Sequence, residues 1–190
     1  MRMVVDVPFR GARTYLHSTN VFDFLVARTS ADRDLKLTFR RKIACQVEAV
    51  SAADIERPDD YPARFSGEGP AGRIDLVLAE KVPSVPIVRR KPYDENAVTD
   101  GSRIEGETIR SDADNGASAI ERIVANNKRL VAHLIGSQKT LVFSTVRLVS
   151  VPPRRAALKI ELRSRLGSTL FRSRIYADEA EIGEIVFYAE

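Results

Sequence analysis

The sequence contains one cysteine, two histidines and no tryptophan among its 190 residues. The single cysteine, Cys45, cannot form a disulfide within the chain, and the shortage of ligands argues against a structural zinc site. No apolar run reaches the roughly 18 residues that cross a bilayer. Asp6 interrupts the apolar stretch at the start, where a signal peptide would need an unbroken core. We therefore expect a cytoplasmic protein without a metal or a membrane segment.

Sequence motifs for several common chemistries are missing as well. The chain has no Walker phosphate loop, no Gly-x-Ser-x-Gly and no His-Glu-x-x-His, so nucleotide-driven and metalloprotease chemistry is not expected. The formal net charge is +4, but the basic residues are scattered as pairs rather than gathered in runs. Scattered pairs are more typical of solvated strand ends than of a nucleic-acid surface, and we do not expect nucleic acid as a partner.

The strongest pattern lies in the C-terminal part of the chain. Between Ser118 and Ile135 apolar residues recur at spacings of three and four, which predicts one long amphipathic helix ending at Gly136. The apolar stripe of this helix consists of Ile120, Ile123, Val124, Leu130, Val131, Leu134 and Ile135. Away from the stripe we expect the charged residues Glu121, Arg122, Lys128 and Arg129.

After Gly136 the period changes from that of a helix to that of a strand. Apolar and polar residues alternate in four segments separated by turn-forming residues, at 140–151, 157–163, 169–177 and 182–189. Connections this short cannot make parallel crossovers, so the strands are predicted to pair antiparallel. The pattern predicts an α+β fold in which an antiparallel sheet wraps around one long central helix.

The N-terminal half has weaker patterns. Residues 3–9 predict a strand, and residues 15–29 fit either a short helix or a buried strand. Alternation over 35–50 predicts one long half-buried strand, with a bulge or a bend at Arg41 where the apolar parity breaks. A hairpin is predicted over 64–79 because two alternating segments flank a Gly-Pro-Ala-Gly turn.

The order of the long helix and the strands after it is similar to that of the hotdog fold, over about residues 117–190. The segment Val151-Pro-Pro-Arg-Arg-Ala-Ala-Leu-Lys-Ile-Glu-Leu resembles the proline turn that precedes a long strand in hotdog enzymes. The segment beginning Phe171-Arg-Ser-Arg-Ile-Tyr-Ala-Asp resembles their closing hairpin. Tyr15-Leu-His-Ser-Thr-Asn-Val-Phe-Asp-Phe-Leu resembles the opening of the A-factor-biosynthesis hotdog family, although the predicted helix lacks that family's Glu-x-x-Arg-Gln pattern.

The resemblance implies a division of the chain into three parts. Residues 117–190 would form a hotdog-like half with one helix and four strands. Residues 1–81 would form a β-rich half that is a degenerate second copy, and residues 82–116 would be an irregular linker between the halves or a flap over a site. Two such halves would make a double hotdog in one chain. The alternative is one hotdog with an N-terminal extension, which would form a homodimer through its sheet edges.

One polar residue interrupts the apolar stripe of the predicted helix. Position 127, seven residues after Ile120, is expected to be apolar but is asparagine, with Asn126 beside it. A buried amide must find partners or it costs roughly 1–3 kcal/mol. By resemblance to hotdog enzymes, whose central helix often turns a polar residue toward the substrate carbonyl, Asn127 is predicted to hold a water or to bind a thioester oxygen. The alternative is a core asparagine satisfied by its neighbours.

His17 is the second candidate, because a neutral histidine is the natural general base near neutral pH. Asp23 is close in sequence and is predicted to orient the ring. Hotdog dehydratases resemble this arrangement in using a histidine from one half and an acid from the helix of the other. Their Gly-His-Phe-Pro-Gly loop is absent here. A surface or helix-capping histidine is the alternative.

The resemblance implies that the ligand is an acyl thioester on coenzyme A or on an acyl-carrier protein. An enzyme of this kind would hydrolyse the thioester or dehydrate a 3-hydroxyacyl group, with His17, Asp23 and Asn127 as catalytic residues. Arg154 and Arg155 are predicted to bind the phosphates of the carrier arm. No cofactor is expected beyond the coenzyme A or phosphopantetheine that the substrate carries. The alternative is a non-catalytic hotdog-like protein that binds a ligand or a partner.

Overall fold

The computed structural model describes residues 1–112, 115–136 and 139–190. The chain divides into two compact units, an N-terminal unit of Met1–Tyr93 and a C-terminal unit of Asp94–Glu190. The boundary between the units falls inside residues 82–116, the segment predicted as a linker or a flap.

The N-terminal unit consists mainly of β-strands. These are β1 (Arg2–Val5), β2 (Phe9–Arg10), β3 (Arg33–Phe39), β4 (Val47–Ser51), β5 (Ala63–Gly69), β6 (Gly72–Glu80) and β7 (Arg90–Lys91). Short 3-10 turns cover Ala52–Asp54 and Pro58–Asp60. The helix α1 spans Ser18–Thr29, which decides between helix and strand for that segment.

In this unit the strands follow the order β1-β4-β6-β5-β3, and neighbouring strands pair antiparallel. Strands β2 and β7 pair separately, in parallel. Helix α1 packs against β1 and β5 and buries Val21, Phe22 and Leu25. The rings of Phe22 and Phe65 meet edge to face with their centroids 6.2 Å apart, a favourable aromatic geometry. The core of the unit therefore lies between α1 and this sheet.

The single long strand predicted over 35–50 is wrong, because the segment forms two strands with a turn between them. Strand β3 lies beside β5, whereas β4 lies between β1 and β6. Both strands continue the same alternation of apolar and polar residues, so a period of two does not reveal the turn. The break in parity at Arg41 marks the place where the chain leaves the sheet, and Arg41 is exposed there.

The hairpin predicted over 64–79 is confirmed as β5 and β6. Its Gly67-x-Gly69-x-x-Gly72 has the letters of a dinucleotide-binding loop, but such a loop joins a strand to a helix, and this turn joins two antiparallel strands. A Cβ at position 67 would lie 2.8 Å from Leu35, and one at position 69 would lie 2.7 Å from the Ser30 carbonyl oxygen. Close packing accounts for the first two glycines.

The C-terminal unit combines helices with antiparallel strands. The helices are α2 (Glu95–Thr99) and α3 (Ala119–Ile135). The strands are β8 (Arg103–Glu105), β9 (Thr108–Ser111), β10 (Leu141–Ser150), β11 (Leu158–Leu166), β12 (Leu170–Ala177) and β13 (Ala180–Ala189). Helix α3 and strands β10–β13 lie where the sequence predicts them, and residues 82–116 contain β7, α2, β8 and β9. In the described part of the chain, no helix has the length and apolar content needed to cross a membrane.

Helix α3 begins and ends with standard capping interactions. The Ser118 hydroxyl oxygen accepts a hydrogen bond from the Glu121 backbone N–H, and the Glu121 carboxylate accepts one from the Ser118 N–H at 2.7 Å. At the other end Gly136 adopts the left-handed conformation that suits glycine. The helix packs against β9, β10, β11, β12 and β13. Buried members of its apolar stripe are Ile120, Ile123, Val124, Leu130 and Val131.

The sheet around α3 follows the order β10-β13-β12-β11-β9-β8 with antiparallel pairing between neighbours. Register shifts interrupt the β10–β13, β11–β12 and β12–β13 pairs. Such bulges bend strands and increase their twist, which suits a sheet that curves around a helix. The turn between β12 and β13 consists of Asp178 and Glu179, both with positive φ, as in a tight two-residue hairpin.

Candidate functional site

Asn127 is fully buried near the middle of α3. Its spacing of three or four residues from the apolar residues around it puts it on the same face of the helix. Those neighbours are Ile123, Val124, Leu130 and Val131. Neither Nδ2 nor Oδ1 of Asn127 has a hydrogen-bond partner within residues 1–112, 115–136 and 139–190. Buried polar groups in proteins are nearly always partnered, so these two atoms call for an explanation.

Asn126 and Ser173 are among the other buried polar residues of the same unit. Asn126 donates a hydrogen bond from Nδ2 to the Arg122 carbonyl oxygen at 2.9 Å, but among the described residues its Oδ1 has no partner. Ser173 of β12 is fully buried, on the same side of the strand as Phe171 and Ile175, and its Oγ is also unpartnered within the described ranges. Helix α3 contacts β12. The C-terminal unit thus holds hydrogen-bonding capacity in its interior that its own described residues do not use.

The expectation that Arg122 points away from the core is wrong, because its side chain is fully buried. Nη1 donates to the carbonyl oxygens of Arg154 at 2.8 Å and Ala156 at 3.0 Å. Nη2 donates to the carbonyl oxygen of Ser111 at 2.8 Å and lies 3.4 Å from its hydroxyl oxygen. The sequence gives no sign of this, because the three acceptors come from segments that only the fold brings together. The buried guanidinium ties α3 to the end of β9 and to the turn before β11.

Arg154 and Arg155, the predicted phosphate-binding residues, occupy the middle of that turn. The Ala156 backbone N–H donates to the Pro153 carbonyl oxygen at 3.0 Å, which closes the turn around the two arginines. Both arginines are exposed, whereas Pro152 and Ala156 on either side of them are buried. The structure therefore places both side chains at a surface of the C-terminal unit, and their binding role stays a prediction.

His17 immediately precedes α1 in the N-terminal unit and is buried. Its Nδ1 lies 2.7 Å from the hydroxyl oxygen of Thr19, which is also fully buried. A histidine ring held by one partner at Nδ1 has a set orientation, which a general base requires. Asp23 lies half-buried further along α1, and its role in orienting the ring stays a prediction.

The ring of Tyr93 gathers several other side chains near His17. The two ring centroids are 5.3 Å apart, and the guanidinium carbons of Arg10 and Arg13 lie 4.8 Å and 5.0 Å from the tyrosine centroid. Cations over an aromatic face are attracted by its quadrupole. Arg10 is buried and donates a hydrogen bond from Nε to the Asn20 side-chain oxygen. Sequence analysis missed this cluster, because Tyr93 is far from His17 along the chain and follows an irregular segment.

The predicted site residues thus fall into two groups. His17 and Asp23 belong to the N-terminal unit, and Asn127, Arg154 and Arg155 belong to the C-terminal unit. Within the C-terminal unit, Arg122 connects α3, which carries Asn127, to the turn that carries the two arginines.

A groove of about 470 Å³ lies between α2 and α3, on the side of α3 that faces away from Asn127. It is lined by Glu95, Asn96, Thr99, Asp100, Ala125, Lys128, Arg129 and Ala132. The volume suits a small ligand. Its two cationic groups already have partners: Lys128 Nζ lies 2.6 Å from Glu95 Oε2, and Arg129 donates to the Thr99 backbone carbonyl oxygen at 2.7 Å. Asn127 does not line this groove, so the groove is separate from the buried amide proposed as a site residue.

Two carboxyl groups with lowered pKa values, Asp75 and Glu179, lie outside these clusters. Hydrogen bonds from Arg64 hold the pKa of Asp75 below its usual value, and hydrogen bonds from Arg110 and Lys159 lower the pKa of Glu179. Surface pairs of this kind contribute little to stability and do not indicate a reactive centre. Within the described ranges, no group of three or more potential ligand side chains is placed to hold a metal ion.

No protein-family model matches the sequence, and no curated protein matches it either. Solved structures resemble it. A pyran synthase domain from module nine of the sorangicin pathway has a TM-score of 0.48 and 10% identity, covering 99% of this chain and 91% of that one. The dehydratase domain of RzxB from Pseudomonas fluorescens has a TM-score of 0.45 and 12% identity, covering 98% and 93%. A protein from Lactobacillus plantarum, provisionally assigned as an oleoyl thioesterase, has a TM-score of 0.44 and 10% identity, covering 100% and 95%.

Dehydratase domains and thioesterases of this kind are hotdog-fold proteins. This is the fold class that residues 117–190 resemble in sequence pattern. All three TM-scores are below 0.5 and the identities do not exceed 12%. The roles of individual residues therefore rest on the geometry of this chain.

Proposed function

We propose that this chain is a hotdog-like protein that binds an acyl thioester carried on coenzyme A or on an acyl-carrier protein. The observation that supports this most directly is Asn127, a fully buried amide on an apolar helix face whose two polar atoms are unpartnered among the described residues. A carboxamide can donate one hydrogen bond to a thioester oxygen and accept another from a water or a hydroxyl group. A ligand that brings such groups into an otherwise apolar interior would satisfy both atoms.

We also propose that the chain contains two hotdog-like halves, residues 1–81 and 117–190, connected by residues 82–116. Support comes from each unit taken separately, since α1 and α3 each pack against antiparallel strands of their own unit. The alternative is a single hotdog-like half that functions as a homodimer. Sedimentation of the purified protein over a concentration series distinguishes a monomer from a dimer.

For an enzymatic function we assign the role of general base to His17. In thioester hydrolysis the imidazole would take a proton from water as the water oxygen bonds to the carbonyl carbon. The carbon–sulfur bond would then break, and the imidazolium would return the proton to the sulfur, which releases a thiol and an acid. In dehydration the imidazole would instead take a proton from the α-carbon, and the imidazolium would give it to the 3-hydroxyl group, which leaves as water as the carbon–carbon double bond forms. Burial of the ring and its contact with Thr19 support either role, because both hold the imidazole in a fixed orientation.

The test is incubation with acyl-coenzyme A and acyl-carrier-protein thioesters of several chain lengths, with and without a 3-hydroxyl group, followed by mass spectrometry. Free thiol would indicate hydrolysis, and an enoyl product would indicate dehydration. His17→Gln and Asn127→Leu are expected to lower turnover by about 100-fold or more, the usual effect of losing a positioned acid–base or oxyanion group. Asp23→Asn tests the predicted orienting role. His133→Gln, at an exposed position of α3, is the matched control and should behave as wild type.

A non-catalytic ligand-binding protein is the second candidate. Asn127 favours it, because a carboxamide does not exchange protons near neutral pH and therefore provides hydrogen bonds without acid–base chemistry. This version predicts that acyl thioesters raise the melting temperature and are recovered intact. The absence of both turnover and binding across the whole panel would contradict the proposed function in either version.

A further inference from the structure

The buried guanidinium of Arg122 is hydrogen-bonded to the turn that carries Arg154 and Arg155. Two of its hydrogen bonds go to carbonyl oxygens of that turn, at 2.8 Å and 3.0 Å, and a third anchors it to Ser111 at the end of β9. Burying a charged group costs several kcal/mol unless its hydrogen bonds are satisfied. The chain nevertheless places an arginine at a fully buried position in the first turns of α3.

Both central residues of this turn are arginines. The Ala156 backbone N–H donates to the Pro153 carbonyl oxygen at 3.0 Å, which closes the turn around Arg154 and Arg155. The carbonyl oxygen of Arg154 faces the buried guanidinium, while the side chains of Arg154 and Arg155 are exposed. Arg122 therefore fixes the backbone from which two surface guanidinium groups project.

Gly116 lies under one of these groups. Nη2 of Arg154 is 3.3 Å from the position that a Cβ on residue 116 would occupy, and Gly116 has a φ of +83°. A side chain at this position would be strained and would push against the arginine. Two contacts therefore bear on the position of Arg154: Arg122 holds its backbone carbonyl, and the absence of a side chain at Gly116 leaves room for its guanidinium group.

We propose that residues 153–156 form a phosphate-binding turn and that Arg122 is its positioning residue. The inference rests on the proposed function, because the phosphates would be those of the coenzyme A or phosphopantetheine arm. Guanidinium groups bind phosphate oxygens through paired, charge-assisted hydrogen bonds whose strength depends on geometry. A turn held from inside fixes the backbone from which Arg154 and Arg155 extend, which reduces the ordering that binding requires.

The test measures binding by calorimetry with three probes: inorganic pyrophosphate, hexanoyl-coenzyme A and hexanoyl-pantetheine, which has no phosphate. Arg154→Gln is expected to weaken binding of pyrophosphate and hexanoyl-coenzyme A by about tenfold, the typical effect of losing a charge-assisted hydrogen bond. Binding of hexanoyl-pantetheine should not change. Arg122→Met should give the same selective loss. A merely structural role would weaken all three probes together.

A double-mutant cycle then tests whether Arg122 acts through Arg154. In the Arg154→Gln background, Arg122→Met should have little further effect on pyrophosphate binding, because residues that work through one another are not additive. Arg129→Gln is the matched control, since Arg129 is on the same helix and also donates to a backbone carbonyl, that of Thr99. It should leave all three affinities unchanged. Arg122→Lys, which keeps the charge but loses the paired donors, replaces Arg122→Met where the latter fails to fold.

The outcomes separate this inference from the proposed function. Binding of hexanoyl-pantetheine without pyrophosphate binding, or pyrophosphate binding that is insensitive to Arg154→Gln and to the Arg122 variants, would overturn the phosphate-binding turn and leave the proposed function standing. Pyrophosphate binding with the expected pattern, but no binding of either thioester, would support the turn and contradict the proposed function. No binding of any probe would overturn both.

Discussion

The imidazole Nδ1 of His17 lies 2.7 Å from the hydroxyl oxygen of Thr19, two residues along the chain, and both side chains are buried. This contact engages Nδ1 of the ring at the start of α1. The tautomer of a histidine depends on the bonds that its nitrogens make. We therefore expect Thr19 to influence which tautomer His17 adopts.

Replacing Thr19 by valine should release the His17 ring. Valine keeps the branched shape of threonine but removes the hydroxyl group, so the imidazole loses its partner at Nδ1. We expect the nitrogen chemical shifts of His17 in long-range proton–nitrogen correlation spectra to move toward those of a mixture of tautomers. The exposed His133 serves as an internal reference and should not change. Identical His17 shifts in the two proteins would show that Thr19 does not set the tautomer.

The parts of the fold that could be predicted are those whose pattern is local. Helix α3 and strands β10–β13 each bury one face along their own length, so the spacing of apolar residues indicates them directly. The same rule failed over residues 35–50, because β3 and β4 share one parity and the turn between them leaves the alternation unbroken except at Arg41. Local periodicity reports which side of a segment is buried but not where the chain reverses.

The candidate site was only partly predictable for a related reason. Asn127 was recognised because it interrupts a pattern along the helix. Arg122 was missed because its burial depends on carbonyl oxygens of Ser111, Arg154 and Ala156, which come from β9 and from the turn before β11. A charged residue at the edge of an apolar stripe gives no local sign that the fold will enclose it. Tyr93 was missed in the same way.

The ion pair between Arg64 and Asp75 should make stability depend on pH. Arg64 donates from Nε at 2.8 Å and from Nη2 at 2.6 Å to the two carboxylate oxygens, and these hydrogen bonds lower the pKa of Asp75. A lowered folded-state pKa means that the stabilisation is present above the unfolded value of about 3.9 and is lost as pH falls through the folded value. The side chains are 34% and 30% exposed, so solvent screening reduces the effect.

We therefore expect Asp75→Asn to lower the free energy of unfolding by about 0.5–1 kcal/mol at pH 7. The difference from wild type should shrink as the pH falls below the unfolded pKa and should disappear once wild-type Asp75 is protonated in the folded state. Urea titrations at a series of pH values measure this. Glu56→Gln, at an exposed carboxylate, is the control. A difference that persists in strong acid would mean that Asp75 stabilises the fold by something other than its charge.

Gly183 should be intolerant of any side chain. It sits where the register of β13 shifts, and a Cβ there would lie 1.9 Å from the Arg147 carbonyl oxygen of β10. Gly183→Ala must therefore separate the two strands, and we expect a loss of about 3 kcal/mol or more in the free energy of unfolding. Gly167→Ala is a matched control, because Gly167 has a positive φ but open space around it. It should cost only about 1–2 kcal/mol. Equal losses would contradict the observed contact between β10 and β13.

Replacing Asn127 by leucine should separate stability from binding. Leucine has the same number of side-chain heavy atoms and no polar groups, so it removes two buried atoms that are unpartnered among the described residues. Since an unsatisfied buried polar group costs about 1–3 kcal/mol, the free energy of unfolding should stay within about 1 kcal/mol of wild type or rise. Affinity for acyl-pantetheine should fall by about tenfold through loss of the hydrogen bonds.

The neighbouring residue provides the control for Asn127. Asn126 is also buried and its Oδ1 is also unpartnered among the described residues, but its Nδ2 donates to the Arg122 carbonyl oxygen at 2.9 Å. Asn126→Leu should therefore be less favourable to stability than Asn127→Leu by about 0.5–1.5 kcal/mol, the net contribution of one hydrogen bond. Urea unfolding of the two variants gives the comparison. A loss of several kcal/mol in Asn127→Leu would show that its amide takes part in core packing. If ligand affinity were also unchanged, Asn127 would be removed from the candidate site. A polar group that serves a ligand is expected to lower the stability of the ligand-free protein, not to raise it.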